Sequence, residues 1–294
     1  MGAPDPIVAR LRAAGCVFAE DEARLLRAAA DTPVELNTLV ERRVEGAPLE
    51  ALLGWAEFCG LRIVVEPGVF VPRQRTAFLV EQAVAVVGTG AGLVGPARAV
   101  AEPDACGVDH VVAAAGPDAR VVEQARAAAR PGALVVDLCC GTGAVGAAIA
   151  AAGPGVEVHA ADIEPAAVRC ARRNLPADRV YLGDLYDALP AHLRGRVDLL
   201  VVNAPYVPTD AIATMPPEAR DHEPRVALDG GADGLDVQRR VAADAPAWLR
   251  PGGALLIETG KSQAPHTAAA MAAAGLTPRV MHSEELYATV VIGR

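Results

Sequence analysis

The amino-acid sequence predicts an α/β protein whose main part is a doubly wound, Rossmann-like parallel sheet, with a small helical domain in front of it. Three observations carry that expectation. Near-continuous Val- and Leu-rich runs alternate with helical segments from Ala133 onward, a glycine-rich turn follows the first run, and an acid or an amide stands at the end of four runs in succession. Sheets covered by helices on both faces produce strands of this kind, because neither side of the strand meets water.

Taken in order, residues 1–54 read as helices. Ile7, Leu11 and Ala14, then Leu25, Leu26 and Ala29, recur at helical spacing, and Asp31, Thr32 and Pro33 mark a stop and a restart. Between Trp55 and Pro72 the pattern changes to short Val-, Ile- and Phe-containing runs broken at Gly60 and at Pro67-Gly68, which predicts a β-hairpin; residues 55–80 form a hinge around it. Residues 81–130 are read as a linker and insertion of unassigned role, with a glycine-rich run starting at Gly88 and a helix expected over Val121–Arg130. The doubly wound domain occupies 131–294, with strands expected at Ala133–Leu138, Val156–Ala161, Arg179–Leu182, Val197–Val202 and Ala254–Thr259.

Composition narrows the function. The chain has 294 residues, 52% of them apolar and 21% charged, enough to bury a large core. Its formal charge is −9, and nine Arg face eleven acids in the first 80 residues, so a broad nucleic-acid surface is disfavoured and the helical domain is expected to touch protein. Six cysteines, at 16, 59, 106, 139, 140 and 170, form no Cys-x-x-Cys pair and have no histidine at zinc-ligand spacing, so no metal is expected. The uncharged stretch 82–97 is 16 residues long and too short to span a bilayer; with no leader pattern visible, the expected location is the cytoplasm.

The chemistry is carried by four strand ends. Val135-Val136-Asp137-Leu138-Cys139-Cys140-Gly141-Thr142-Gly143-Ala144-Val145-Gly146 is a strand, a glycine turn and a helix start, a geometry that lets backbone approach a ligand closely. Gly141, Gly143 and Gly146 satisfy G-x-G-x-x-G, so a nicotinamide cofactor is one reading at this point. Asp137 weighs against it, since a carboxylate there would repel a pyrophosphate but could answer the amino end or sulfonium side of S-adenosylmethionine. Asp162 follows 25 residues later, where it suits a ribose diol, and Asp184 another 22 later, where it could accept from an adenine amino group. Each interval is about one strand-helix-strand step, so the three acids project into one crevice. Singly, any of them would serve as well as a helix cap.

The fourth strand end reads Asp198-Leu199-Leu200-Val201-Val202-Asn203-Ala204-Pro205-Tyr206-Val207-Pro208. This segment resembles the Asn-Pro-Pro-Tyr motif of methyltransferases acting on planar nitrogens. Its surroundings narrow the resemblance to the protein-(glutamine-N5) methyltransferases of the HemK/PrmC type, which modify the Gly-Gly-Gln glutamine of peptide-chain release factors. Those surroundings are Pro48-Leu49 to Leu53-Gly54, Phe58-Cys59-Gly60-Leu61, Pro67-Gly68-Val69 and Val71-Pro72-Arg73, then His222 to Leu228, Gly230 to Leu235, Pro251-Gly252-Gly253, and Leu256 to Gly260 with Gln263.

The resemblance implies a class I S-adenosylmethionine-dependent methyltransferase fold and a protein substrate, a release factor or another protein, recognised through the helical domain. It also implies a catalytic segment of Asn203, Ala204, Pro205 and Tyr206, and a cofactor site of Asp137, Cys139, Gly141, Thr142, Gly143, Asp162, Ile163, Asp184, Leu185 and Asn203. An amide nitrogen is a poor nucleophile because its lone pair is delocalised. Two acceptors, the Asn203 side-chain oxygen and the Ala204 carbonyl, would fix the amide hydrogens and stabilise charge developing on nitrogen, while Tyr206 packs on the flat amide.

The chain departs from the family pattern at three places. Ala204 replaces the usual proline, at an ordering cost of about 0.4–1 kcal/mol, although Pro205 still holds it extended. The hinge reads Pro72-Arg73-Gln74-Arg75-Thr76-Ala77-Phe78 where a Pro-Glu-Thr-Glu run is common, and Gly88–Arg130 is extra. Three competing readings remain: exocyclic-amine methylation of a nucleic-acid base, a nicotinamide oxidoreductase on the glycine pattern alone, and a noncatalytic interaction protein.

Overall fold

The computed structural model describes residues 5–89, 132–153 and 155–294; the helix expected over Val121–Arg130 lies outside them. Four helices, α1 (Pro6–Ala13), α2 (Ala19–Ala29), α3 (Pro33–Val44) and α4 (Leu49–Leu53), open the described chain. Local chemistry sets their starts. The Asp5 side chain accepts from the Ile7 N–H at 3.0 Å with Pro6 in the first turn, and Thr32 accepts from the Glu35 N–H at 3.2 Å with Pro33 behind it. Leu11, Ala23, Leu26, Val40 and Leu49 close a small core of their own. Arg43 donates to Glu22 at 2.6 Å inside that domain and also reaches Glu218, 3.4 Å away, in a short helix that lines the cavity described below.

The hairpin pairs β1 (Trp55–Phe58) with β2 (Leu61–Val64), Phe58 facing Leu61. Its two turn residues, Cys59 and Gly60, have φ of 50° and 72°. Positive φ at both centres is the type I′ turn that matches strand twist in two-residue hairpins.

Beyond the hairpin, α5 (Ala77–Thr89) runs into the stretch read as linker and packs on the sheet through Leu79, Val80, Ala83 and Val84. Then come β3 (Leu134–Leu138), α6 (Ala144–Ala152), β4 (Glu157–Asp162), α7 (Pro165–Ala171), β5 (Val180–Leu182), β6 (Val197–Val202), α8 (Pro217–His222), α9 (Asp236–Trp248), β7 (Leu249–Thr259), α10 (Ala264–Ala273), β8 (Pro278–Ser283) and β9 (Ala288–Gly293). The seven-stranded sheet has the order β5-β4-β3-β6-β7-β9-β8. Its first five strands are parallel, as expected, whereas β9 and β8 are antiparallel additions that sequence reading did not anticipate. Two apolar layers cover the faces: one holds Val135, Leu199, Val201 and Leu256 with α5 and α6, the other Val136, Leu200, Leu255 and Ile257 with α9 and α10.

Candidate active site

The sheet order reverses at β3, which has β4 on one side and β6 on the other. Open α/β sheets bind ligands outside the carboxyl ends of their strands at such a point. A cavity of about 780 Å³ lies there, lined by Asp137, Asp162 and Asp184 on one side and Asn203, Ala204, Pro205 and Tyr206 on the other.

On the first side the acids are held by backbone. Asp137, within β3, is 2% exposed, and its Oδ2 accepts from the Gly146 N–H at 2.9 Å. Burial pushes its pKa up to about 7, against the Gly146 hydrogen bond and with the help of the Asp162 charge. Asp162 ends β4 and accepts from the Gly141 N–H at 2.8 Å and the Glu164 N–H at 2.9 Å; burial raises it too. Asp184 follows β5 and accepts from Arg240 Nη2 at 2.7 Å, a partner in α9 that sequence reading missed. Cys139 and Leu185, with φ of 56° and 49°, are non-glycine residues in the left-handed region, and both line the cavity.

The glycines divide by role. Gly141 has φ of 54° and open space where a Cβ would stand, so the chain presents bare backbone to the cavity. Gly143 does not line it. A Cβ at Gly143 would lie 2.9 Å from Leu175 and 3.2 Å from Ala171, so this glycine lets α6 pack. Gly146 gives its N–H to Asp137. A carboxylate therefore occupies the helix start where a dinucleotide pyrophosphate would sit, and the nicotinamide reading has no place.

On the second side the segment after β6 is clamped by segments distant in sequence. Gln263 Nε2 donates to the Tyr206 carbonyl at 2.9 Å and the Asp233 carbonyl at 3.0 Å. Gly230 and Gly234 let the loop approach, since a Cβ would stand 2.7 Å from the Pro205 oxygen at the first and 2.2 Å from the Tyr206 oxygen at the second. Arg75 Nη2 donates to the Tyr206 hydroxyl at 2.7 Å, and Asn203 Nδ2 donates to Thr76 Oγ1 at 3.4 Å. Tyr206 is pushed up to about 12, mainly by burial and next by the Glu258 charge, so its hydroxyl stays protonated at neutral pH. Glu223 accepts from Arg73 at 2.6 Å and the Val71 N–H at 3.4 Å, tying the hinge to the chain that follows Tyr206.

Behind Asn203 and Tyr206 lies Glu258, near the end of β7 and 3% exposed. Its Oε2 is buried without a hydrogen-bond partner among the described residues, and its Oε1 stands 3.7 Å from Arg75 Nε. Burial raises its pKa, opposed by the Arg75 charge and by a hydrogen bond from the Thr76 hydroxyl.

Comparison with known proteins decides the family. A profile described as Methyltransferase small domain matches residues 119–215. The release factor glutamine methyltransferase of Streptomyces coelicolor is 35% identical over 236 residues, covering 80% of this chain and 70% of that protein. The chain belongs to the release factor glutamine methyltransferase family. The member from Geobacter sulfurreducens is 34% identical over 77% of this chain, a match spanning 65% of the relative, just under two thirds of its length. A 4-amino-L-phenylalanine/4-methylamino-L-phenylalanine methyltransferase of Streptomyces pristinaespiralis is 33% identical over 76% of this chain and 65% of its own length. The protein is therefore an S-adenosylmethionine-dependent class I methyltransferase of the protein-(glutamine-N5) type.

Against that assignment, twelve of the thirteen residues singled out in sequence line the one cavity, Gly143 being the exception. Sequence reading missed Thr76, Arg75, Glu258, Arg240 and the Arg73–Glu223 pair. For Arg75 one signal was present, the basic residue in a hinge run where related sequences carry acids. For Glu258 only its place at a strand end pointed to the site.

Proposed function

We propose that this enzyme methylates N5 of the glutamine in the Gly-Gly-Gln motif of peptide-chain release factors. The observation that carries the reading is the placement of Asn203-Ala204-Pro205-Tyr206 at the carboxyl end of β6, in the same cavity as the three acids. S-adenosylmethionine supplies an electrophilic methyl group when bound. The residues present suit it: Asp162 and Asp184 for ribose and adenine groups, Asp137 for the amino end, and Gly141 with Cys139, Thr142, Ile163 and Leu185 for close contact along its length.

The acceptor side has little to do but position. Asn203 Oδ1 and the Ala204 carbonyl take the two hydrogens of the substrate amide, which localises the nitrogen lone pair and aims it at the methyl group. Fixed dipoles stabilise the charge that develops on nitrogen, and the extra proton leaves afterwards, so no dedicated base is needed. Tyr206, protonated and held by Arg75, presents its ring to the amide plane. A protein partner and a cytoplasmic setting belong to the same reading. Among the described residues, no helix is long and apolar enough to cross a membrane.

The test is methyl transfer from labelled S-adenosylmethionine to a purified release factor, with the label located by peptide mass spectrometry. Label on the Gly-Gly-Gln glutamine, absent from a Gln→Ala factor, is the expected result. Label elsewhere on the factor, or none, contradicts the substrate assignment.

A further inference from the structure

Gln263, the half-buried residue just ahead of α10, uses both hydrogens and the oxygen of its side-chain amide, and all three partners are backbone. Its Nε2 donates to the Tyr206 carbonyl at 2.9 Å and the Asp233 carbonyl at 3.0 Å, and its Oε1 accepts from the Gly260 N–H at 3.2 Å. A backbone carbonyl only accepts and a backbone N–H only donates, so these partners allow one orientation of the amide. A single side chain thereby joins the segment after β6, the loop around Asp233 and the end of β7.

The chain leaves room for this amide at both of its ends. A Cβ at Gly234, where φ is 76°, would stand 2.4 Å from Gln263 Nε2, and a Cβ at Gly260 would stand 2.7 Å from Gln263 Oε1. Behind the amide, a ring of hydrogen bonds fixes the first turn of α10. Gln238 Nε2, in α9, lies 3.3 Å from Thr259 Oγ1 at the end of β7; the hydroxyls of Thr259 and Thr267 are 3.2 Å apart; and Thr267 Oγ1 lies 2.7 Å from Gln238 Oε1. All three side chains are buried, and Thr267 also reaches the Gln263 carbonyl at 3.3 Å. A buried polar ring with every member satisfied rigidifies the elements it joins.

We propose that Gln263 is a positioning residue for methyl transfer. It fixes the Tyr206 carbonyl and, across Pro205, whose ring sets its own φ, the Ala204 carbonyl and Asn203 side chain that receive the acceptor. The ring of Gln238, Thr259 and Thr267 holds Gln263 in turn. As a device for the amide acceptor, this role rests on the function proposed above. Its hold on the segment exists without any substrate.

The test combines kinetics with a substrate-free signal. Gln263→Glu keeps an oxygen for the Gly260 N–H and sets the other against two carbonyls, so it isolates the two donors; Gln263→Met keeps the length and removes all three bonds. With the release factor as acceptor, both lower kcat by about 10–100-fold, with KM and S-adenosylmethionine affinity within about threefold. Thr267→Val lowers kcat by about 3–10-fold and adds nothing to Gln263→Met, because both act on one support.

In parallel, backbone amide exchange of the substrate-free proteins is read by mass spectrometry. Exchange over residues 203–209 is expected to quicken by about tenfold in Gln263→Glu and Gln263→Met, while residues 134–146 keep the wild-type rate. The proposal is overturned if Gln263→Glu keeps wild-type kcat, if the losses of Thr267→Val and Gln263→Met add, or if exchange over 203–209 is unchanged. It is also overturned if exchange rises equally in both regions, the result of a merely structural role. A wild type that transfers nothing to the release factor overturns the substrate assignment instead, and the exchange arm still decides whether Gln263 holds the segment.

Discussion

The two halves of the cavity are built in opposite ways. On the side proposed for the cofactor, Asp137, Asp162 and Asp184 stand at the ends of β3, β4 and β5, and the first two are held by backbone N–H groups from the next loop or helix. On the side proposed for the acceptor, the segment after β6 is held by side chains from far away: Thr76 lies 127 residues from Asn203, Arg75 lies 131 from Tyr206, and Gln263 lies 57 from Tyr206. The difference separates a local motif, which a strand-turn-helix unit produces by itself, from a composite one, which exists only when the hinge, β6 and β7 have come together. It follows that changes on the first side alter cofactor affinity, whereas changes on the second alter turnover.

The largest expected effect is on turnover. Asn203→Ala removes one of two acceptors for the substrate amide, and kcat falls by about 10²–10³-fold, the usual result of removing one preorganised group from a transition-state site. S-adenosylmethionine affinity measured by calorimetry stays within a few-fold. If affinity fell as far as turnover, the division between the two halves would be wrong.

The converse comes from Asp162→Asn. Loss of a charged acceptor weakens S-adenosylmethionine binding by about 10–100-fold, while kcat at saturating cofactor changes little. A kcat collapse at saturation would place Asp162 in the chemistry and break the comparison from the other direction.

A smaller effect tests the clamp. Gly234→Ala forces a Cβ against the Tyr206 carbonyl at a φ of 76°, so about 2 kcal/mol of stability is lost, read as a lower midpoint in urea. Turnover falls with it, because the Asn203–Tyr206 segment must shift. Unchanged stability and kcat would mean that this loop does not hold the segment.

The smallest effect is a pH dependence of the cofactor-free protein. Asp137 is raised in the folded state to about 7, so the folded protein binds its proton more tightly than the unfolded chain. Its contribution to stability is full below the unfolded pKa and is lost as pH rises through about 7, amounting to about 1.4 kcal/mol between pH 6 and pH 8. Asp137→Asn removes that component. Denaturant unfolding of both proteins at the two pH values should show the wild type losing more than the variant; parallel behaviour would contradict a buried, proton-binding Asp137.

This contrast also explains what the sequence revealed. The parallel strands were legible because each is an apolar run bounded by turn residues, and β3 to β6 fall within a residue or so of their expected limits. The three acids were legible because consecutive strand-helix units place them at similar intervals. By contrast, α5 escaped notice: Ala77–Thr89 is apolar almost throughout and buries most of its face, so no amphipathic period marks it. β8 was hidden because Pro278–Ser283 is an edge strand of mixed polarity. Thr76 is an ordinary residue in sequence and meets Asn203, 127 positions further on, only through the packing of the hinge against the segment after β6.

One of the relatives is named for an aromatic amino acid rather than a release factor, so the most direct test of the central claim is a comparison of acceptors. The wild-type enzyme should be given, separately and at equal S-adenosylmethionine, an intact release factor and 4-amino-L-phenylalanine, and kcat/KM measured for each. The account predicts transfer to the factor at its Gly-Gly-Gln glutamine, with kcat/KM at least about 10³-fold above that for the amine, since a site matched to one hydrogen-bonding pattern discriminates strongly against another. Transfer to the amine with none to the factor would contradict it.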